Sequence, residues 1–271
     1  MMITLWIQAI SSLAMMTVIL LVQVLIYPQF KQVGPNEIGN YVKFHIRKIS
    51  WVVIPVMLTE LFSLIILWSY REIWSFWLLS STVILALILG LTFIKIAPLH
   101  NQIAVSSDVR LISKLLSLNF ARTVLWILKS ISIFCLFIVF ITPHLQFEFI
   151  TNANINTLFE KTNGYQLVYE KSVFQANLDT IVSSLGGQQI ESKGNLRKYI
   201  VRTPYLKFPD LIIIEHKKDK TVFWSKSLLG HFDFGKNKER LKWIQKKLEQ
   251  EIWCTYGARS SHNRRRYKLV H

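Results

Sequence analysis

The chain has 271 residues, 51% of them hydrophobic, a mean hydropathy of +0.32 and a formal net charge of +16. Such apolarity and such charge coexist only when segregated: up to Ile150 there are 10 Lys and Arg against 5 Asp and Glu, and beyond it 22 against 11. This excludes two ordinary soluble domains, and the 2 cysteines, Cys135 and Cys254, one in each half, exclude an intradomain disulfide or a cysteine-built metal site.

Met1 to Phe30 carries no charge, and Ile3 to Tyr27 is long enough for the roughly 20 apolar residues that cross a bilayer core. It lacks the basic start and small-residue cleavage site of a signal peptide. A second apolar run goes from Ile49 to Tyr70, broken only by Glu60, and a third from Ile73 to Ile94. A fourth follows Arg122, TVLWILKSISIFCLFIVFITPHLQF, with Lys129 near one end. Trp51, Trp68, Trp74, Trp77 and Trp126 fall near the predicted ends, where amphipathic rings favour the headgroup layer. Between spans three and four, Ser107 is a predicted cap for a short surface helix bearing Leu111, Leu115, Leu116 and Leu118.

Loop charge sets the predicted orientation. Lys31, Lys43, Arg47 and Lys48 lie between spans one and two, and Lys95, Arg110, Lys114 and Arg122 between spans three and four. The turn between spans two and three has only Arg71 beside Glu72. The two basic loops therefore face the cytoplasm, and the N-terminus and everything after span four lie outside.

After Pro143, an Asn- and Thr-rich stretch ending in Asn163-Gly164 reads as a linker. Ser172 to Gln175 fits a capping box. Phe174, Leu178, Ile181, Val182 and Leu185 follow at helical spacing, up to Gly186-Gly187. QQIES and LRKYIVRT flank Gly194-Asn195, and DLIIIEH and TVFWSKS flank Lys217 to Lys220, which predicts hairpins and an antiparallel sheet of about four strands. Phe234, Leu241, Ile244, Leu248 and Ile252 form the apolar stripe of a last helix. In the loop before it, Gly230 and Gly235 permit unusual backbone angles, and Asp233 or Asn237 is placed to cap the helix. An anion held at that helix start is the functional alternative, although Asp233 already occupies the positive end. Ser227, His231 and Asp233, within seven positions of one turn, are too close in sequence to align as a catalytic triad.

The stretch from Tyr199 to Leu248 resembles the C-terminal part of bacterial domain-of-unknown-function family 1499. The residues carrying the likeness are Arg202, Thr203, Asp210, Ser225, Ser227, Gly230, Asp233, Gly235, Asn237 and Arg240. Pro209-Asp210 stands where the family has an acidic pair, and Leu228 where it has a basic residue. The resemblance spans about eighty residues, from Ser172 to Gln250, and implies a fold rather than an activity. PLHNQIAVSSDVRLISKLLSLNFARTVLW is loosely similar to a pattern in the four-span family of domain of unknown function 1772, which includes anthrone-oxygenase-like proteins. That resemblance implicates Asn101, Asn119 and Arg122 and implies cofactor-independent oxidation of an aromatic substrate.

Polar groups in a bilayer are costly and mark candidate sites. Glu60, deep in span two, must be protonated or paired with a donor on another helix. His45, His100, Asn101, Asn119 and Arg122, with Tyr27, gather at the predicted cytoplasmic side, and with the deeper Glu60 they are candidates to bind an amphipathic ligand, or else serve as interfacial anchors and helix caps. No His pair has helical i, i+3 or i, i+4 spacing, and no metal or cofactor is expected. The basic tail is predicted to be disordered.

The expected architecture is an α-helical membrane domain of four transmembrane helices, residues 1–147, and a linker, 148–171. A small extracytoplasmic α+β domain with an antiparallel sheet and two helices follows, 172–253, and then the tail, 254–271. The expected partners are the lipid bilayer and an anionic lipid or envelope component, with no nucleic acid. The expected role is binding or organising that partner, with a membrane-embedded oxygenase-like enzyme as the alternative.

Overall fold

The computed structural model describes residues 1–34, 36–106, 108, 110–152, 164–170, 175–230 and 233–250. The chain divides into two compact units, Met1–Ile138 and Val139–His271.

Four helices are long and apolar enough to cross a membrane: α1 (Met2–Gln32), α2 (Ile38–Trp68), α3 (Phe76–Ser106) and α4 (Arg110–Leu145). The first three and most of α4 make the first unit. Their outward residues, such as Ile10, Trp51, Phe62, Phe93 and Ile131, are large, apolar and exposed. Their inward ones include Gln8, Ser11, Ser12, Glu60, Ser63, Asn119, Arg122 and Lys129. This inside-out distribution is the one a lipid solvent favours, since apolar surface outside costs nothing there and polar groups must find partners inside.

Helices α1 and α3 share a local irregularity. Each has a π turn, at Val22–Ile26 and at Thr92–Ile96, and each π turn is followed two residues later by a proline, Pro28 and Pro98. Proline has no N–H to donate and its ring crowds the carbonyl four residues back. The widened turn supplies that room without ending the helix. Ser75 caps α3, its Oγ accepting from the Leu78 N–H at 3.3 Å. Near the π turns, Val22, Phe30, Ile38, Val42, Ile96, Leu99, Ile103, Ile112 and Leu115 form an apolar core that closes one end of the bundle.

The separate surface helix expected before span four is not present. Residues from Arg110 run without a break into the span, and Ile112 and Leu115 are fully buried. The apolar periodicity of Leu111 to Leu118 is that of the first turns of α4, facing the core rather than lipid headgroups. Ser107 lies outside the described residues.

The second unit holds a five-stranded antiparallel sheet in the order β1-β5-β4-β3-β2. The strands are β1 (Gly164–Tyr169), β2 (Gln188–Lys193), β3 (Leu196–Arg202), β4 (Pro209–His216) and β5 (Thr221–Ser227). The two hairpins legible in the sequence are β2–β3 and β4–β5. Strand β1 and helix α5 (Phe147–Asn152) lie in the stretch read as linker. With β1 the strands number five rather than four. Helix α6 (Gln175–Ser184) and helix α7 (236–250) cover one face. There Tyr199, Val201, Ile212, Ile214 and Phe223 pack against Leu178, Ile181, Val182, Leu241, Ile244 and Leu248. The alternate residues Ile200, Leu211, Ile213, Val222 and Trp224 pack on the other face with Ile150 and Leu228. Both faces of β4 and β5 are therefore buried, which is why IIII- and VFW-type runs replace alternation there.

Helix α6 ends at Gly186, φ 73°, and Gly187, whose N–H reaches the Val182 carbonyl at 3.0 Å. A Cβ on Gly187 would stand 2.7 Å from that carbonyl oxygen, so glycine is required. Phe234 departs from expectation. It is not part of the α7 stripe but sits before the helix at φ 50°, 91% exposed. Ser172, Phe174, His231, Ile252 and the tail from 254 lie outside the described residues.

Candidate functional site

Two polar clusters occupy the helical unit. The first lies beside the π turns. Tyr27 follows the first and His100 lies four residues after the second, and the Tyr27 Oη is 2.7 Å from the His100 Nε2. His45 stacks on His100 with ring centroids 6.3 Å apart and meets Tyr27 edge-on at 5.9 Å. Arg122 lies near enough to Tyr27 to interact with it electrostatically and donates from Nη2 to the Asn119 Oδ1 at 2.5 Å, while Asn119 donates to the Gln23 Oε1 at 2.6 Å. Arg122 is only 8% exposed, and no carboxylate lies within ion-pair distance among the described residues. The His100 Nδ1 is buried and has no hydrogen-bond partner among those residues.

Four of the five residues expected at this end, His45, His100, Asn119 and Arg122, thus converge with Tyr27. Asn101 does not. It is exposed and lines a shallow cleft with Gln102, Val105, Ser106, Asp108 and Leu111. As the next residue on the helix it points about 100° away from His100, and here it faces that cleft instead of the cluster. Asp108, in the exposed connection to α4, is held below the usual carboxylate range by the Arg110 backbone N–H and guanidinium.

Glu60 belongs to the second cluster, about 22 Å along α2 from His45 at 1.5 Å per residue. Its partner is Lys129, and both side chains are completely buried. The carboxylate also accepts from the Gln8 amide at 2.7 Å and the Ser11 hydroxyl at 3.1 Å. Lys129 donates to the Ser12 hydroxyl at 2.7 Å, and Ser63 donates to the Gln8 carbonyl oxygen. Every charge here has a counter-charge and every named donor an acceptor, as burial in a low-dielectric bundle demands. Lys129 was overlooked as an intramembrane partner because its position in the sequence reads as a span end. The signal was available: Asn119, Arg122, Trp126, Lys129 and Ser132 recur at three- and four-residue spacing, and all are buried.

The second unit concentrates the loop candidates. Asp210 at the start of β4 faces Ser227 at the end of β5. The Ser227 hydroxyl donates to the Asp210 Oδ1 at 2.6 Å, and the Arg240 Nη2 donates to the Asp210 Oδ2 at 2.6 Å. Arg240 Nη1 also donates to the Asn237 Oδ1 at 2.9 Å, which accepts from the Ser225 hydroxyl at 2.6 Å. Asn237 is therefore not the helix cap but the buried centre of this network. Asp233 is the cap: its two oxygens accept from the Gly235 and Asn237 N–H groups, each at 3.0 Å. Gly230 and Gly235 sit at φ 89° and 77°, in the left-handed region that glycine tolerates. The network clamps α7 to β4 and β5, and its groups are spent on one another.

Burial pushes the Asp210 carboxyl up despite Arg240 and Ser227, and Asp233 adds to the rise. Its contribution to stability is then complete below the ordinary carboxyl range, about pH 3.9 for an unfolded Asp. It falls as the pH climbs through the raised value, where the folded state must give up a proton it prefers to keep. Asp210→Asn removes that slope. Denaturation of the full chain in detergent from pH 3 to pH 7 should show wild type losing stability relative to the variant as pH rises.

Among the described residues no group of three His, Cys, Asp or Glu side chains is placed to hold a metal ion. The fold and sites thus define a four-helix apolar bundle joined to a small α+β domain with both sheet faces covered. A family model described as Protein of unknown function (DUF1499) matches residues 154–248, the body of the second unit. No curated protein and no solved structure matches the chain. The similarity of the third and fourth spans to the anthrone-oxygenase-like family is not shown by these comparisons.

Proposed function

We propose that the protein is a multi-pass membrane protein whose helical unit binds the acidic head of an amphipathic molecule at Arg122, Tyr27, His45, His100 and Asn119. One observation carries this reading: Arg122 is buried with no carboxylate in reach among the described residues, whereas Lys129 in the same helix has Glu60. An uncompensated buried charge is expensive, and a bound anion removes the expense. Position agrees, since Tyr27 and His100 lie within two turns of the ends of α1 and α3, where a headgroup layer would meet helices that span a bilayer. Lys31, Lys43, Arg47, Lys48, Lys95, Arg110 and Lys114 stand around the same end of the bundle in sequence and would draw anions toward it.

The same Lys and Arg distribution supports an orientation with that end in the cytoplasm and the second unit outside, where it would meet an envelope partner. Protease added to intact spheroplasts should cut the second unit, and protection until lysis would reverse the assignment.

Binding is tested with the full chain in neutral detergent, using dodecyl phosphate, dodecanol and inorganic phosphate as probes. Dodecyl phosphate should bind, dodecanol should not, and Arg122→Gln should weaken binding about tenfold to a hundredfold, the worth of a hydrogen bond to a charged group. Unchanged affinity in a normally folded Arg122→Gln protein would defeat the reading.

The Tyr27–His100 contact favours a second reading, a membrane enzyme acting on a hydrophobic substrate. A phenol and an imidazole at 2.7 Å can relay a proton. Tyr27→Phe separates the two: turnover would be lost in an enzyme, while anion binding through Arg122 would persist in a carrier.

A further inference from the structure

The end of the sheet that carries Arg202, Pro209 and Ser227 is set against α4. Arg202, the last residue of β3, donates to the Val139 carbonyl oxygen at 3.0 Å, and its guanidinium lies 4.3 Å over the Phe140 ring. Leu228, just after β5, accepts from the Gln146 side chain at 2.9 Å. Further along, Ile150 joins the sheet core and the Thr151 carbonyl accepts from Lys198, four residues back along β3 from Arg202. The chain leaving α4 thus climbs the sheet from the Arg202 end, and that end lies beside the last turns of α4, which belong to the second unit.

Two loops emerge at this end, joining β3 to β4 and β5 to α7, because Arg202 pairs with Pro209 and Asp210 with Ser227. Each presents a bare aromatic ring: Tyr205 is 81% exposed and Phe234 91%. The segments around both rings, 202–208 and 233–237, are braced rather than slack. Phe208 N–H bonds the Thr203 hydroxyl at 2.9 Å, Arg202 bonds the Lys207 carbonyl at 3.2 Å, and Asp233 holds the turn around Phe234. Lys207 and Phe234 sit in the left-handed region, at φ 59° and 50°, which non-glycine residues adopt at a cost. A braced, strained loop that holds an apolar ring in water makes sense when the ring is not in water. Lys207 and Lys236 flank the rings, matching anionic headgroups around buried aromatic tips.

We propose that Tyr205 and Phe234 form a membrane-docking surface: the two rings insert into the headgroup layer of the same bilayer that α4 crosses, and fix the second unit upon it. The proposal rests on α4 spanning the bilayer but not on any ligand of the helical unit.

The test places a photoreactive benzoylphenylalanine at position 205, 234, 219 or 131 in the full chain, reconstituted in vesicles of phosphatidylcholine and phosphatidylglycerol with labelled headgroups. Asp219 is in the β4–β5 turn at the opposite end of the sheet, and Ile131 is on the exposed face of α4. Lipid adducts at 205 and 234 should exceed those at 219 by about tenfold, as interfacial insertion requires. Adducts at 131 with yields at 205 and 234 no higher than at 219 would overturn the docking surface alone. Failure at 131 as well would overturn the membrane span itself. Cross-linking of 205 or 234 to a second protein chain instead of lipid would also overturn the proposal.

Discussion

Lys129→Met is expected to destabilise the helical unit by about 3–5 kcal/mol, the cost of leaving a buried carboxylate without its counter-charge. The loss is not that of one contact. Glu60 is reached by Lys129, Gln8 and Ser11, and removing the ammonium leaves two neutral donors to hold a fully buried charge. The same physics predicts that Glu60→Gln combined with Lys129→Met recovers most of the lost stability, because two neutral groups need no counter-charge. Thermal unfolding of the full chain in detergent, followed by Trp fluorescence, should rank wild type and double variant together and the single variant far below. A single variant as stable as the double would mean that Glu60 is neutral in the native protein and that Lys129 is not its electrostatic partner.

Arg240→Ala carries the second large expected effect, also about 3–5 kcal/mol, and now in the second unit. Arg240 touches Asp210 and Asn237 at once, as the Ser227 hydroxyl does, and it is the group that brings a positive charge to the pair. Its truncation removes the counter-charge of the buried Asp210 carboxylate and one donor to the Asn237 carbonyl oxygen. Amide hydrogen exchange on the full chain should show protection lost in β4, β5 and the first turns of α7, with the four spans unaffected. Arg240→Lys keeps the charge but not the planar fork that bridges two acceptors, so it should fall between. Protection equal to wild type in Arg240→Ala would show that the network does not hold the helix to the sheet.

The spans were legible because a bilayer imposes a length on apolar runs, and the hairpins because Gly194-Asn195 and the Lys217 to Lys220 turn interrupt β-branched runs. Strand β1 was not: GYQLVY is short and follows an Asn-rich stretch, and only pairing with β5, Tyr165 opposite Ser225 and Leu167 opposite Phe223, makes it a strand. The site at the π turns was readable as a set of residue types at one end of the bundle. Its separation from Glu60 needed three dimensions, since His45 and Glu60 share a helical face yet lie four turns apart. The loop before α7 was read correctly for Asp233 and not for Asn237 or Phe234. A cap is a local decision of a few backbone bonds, whereas the burial of Asn237 depends on strands 10 and 27 positions away.

A π turn is an α-helix with one residue too many. Each of the two bulges therefore stores a phase shift of about 100° between the helix segments it joins. Excising one residue from Val22–Ile26 would let α1 run smoothly past that point, and everything beyond would rotate by that angle about the helix axis. Tyr27 would swing from its histidine toward the outside of the bundle, with the polypeptide shortened by a single amino acid and its hydropathy hardly altered. The meeting of phenol and imidazole is thus governed by chain length as much as by chemistry, and an insertion or deletion there is a more drastic change than almost any substitution.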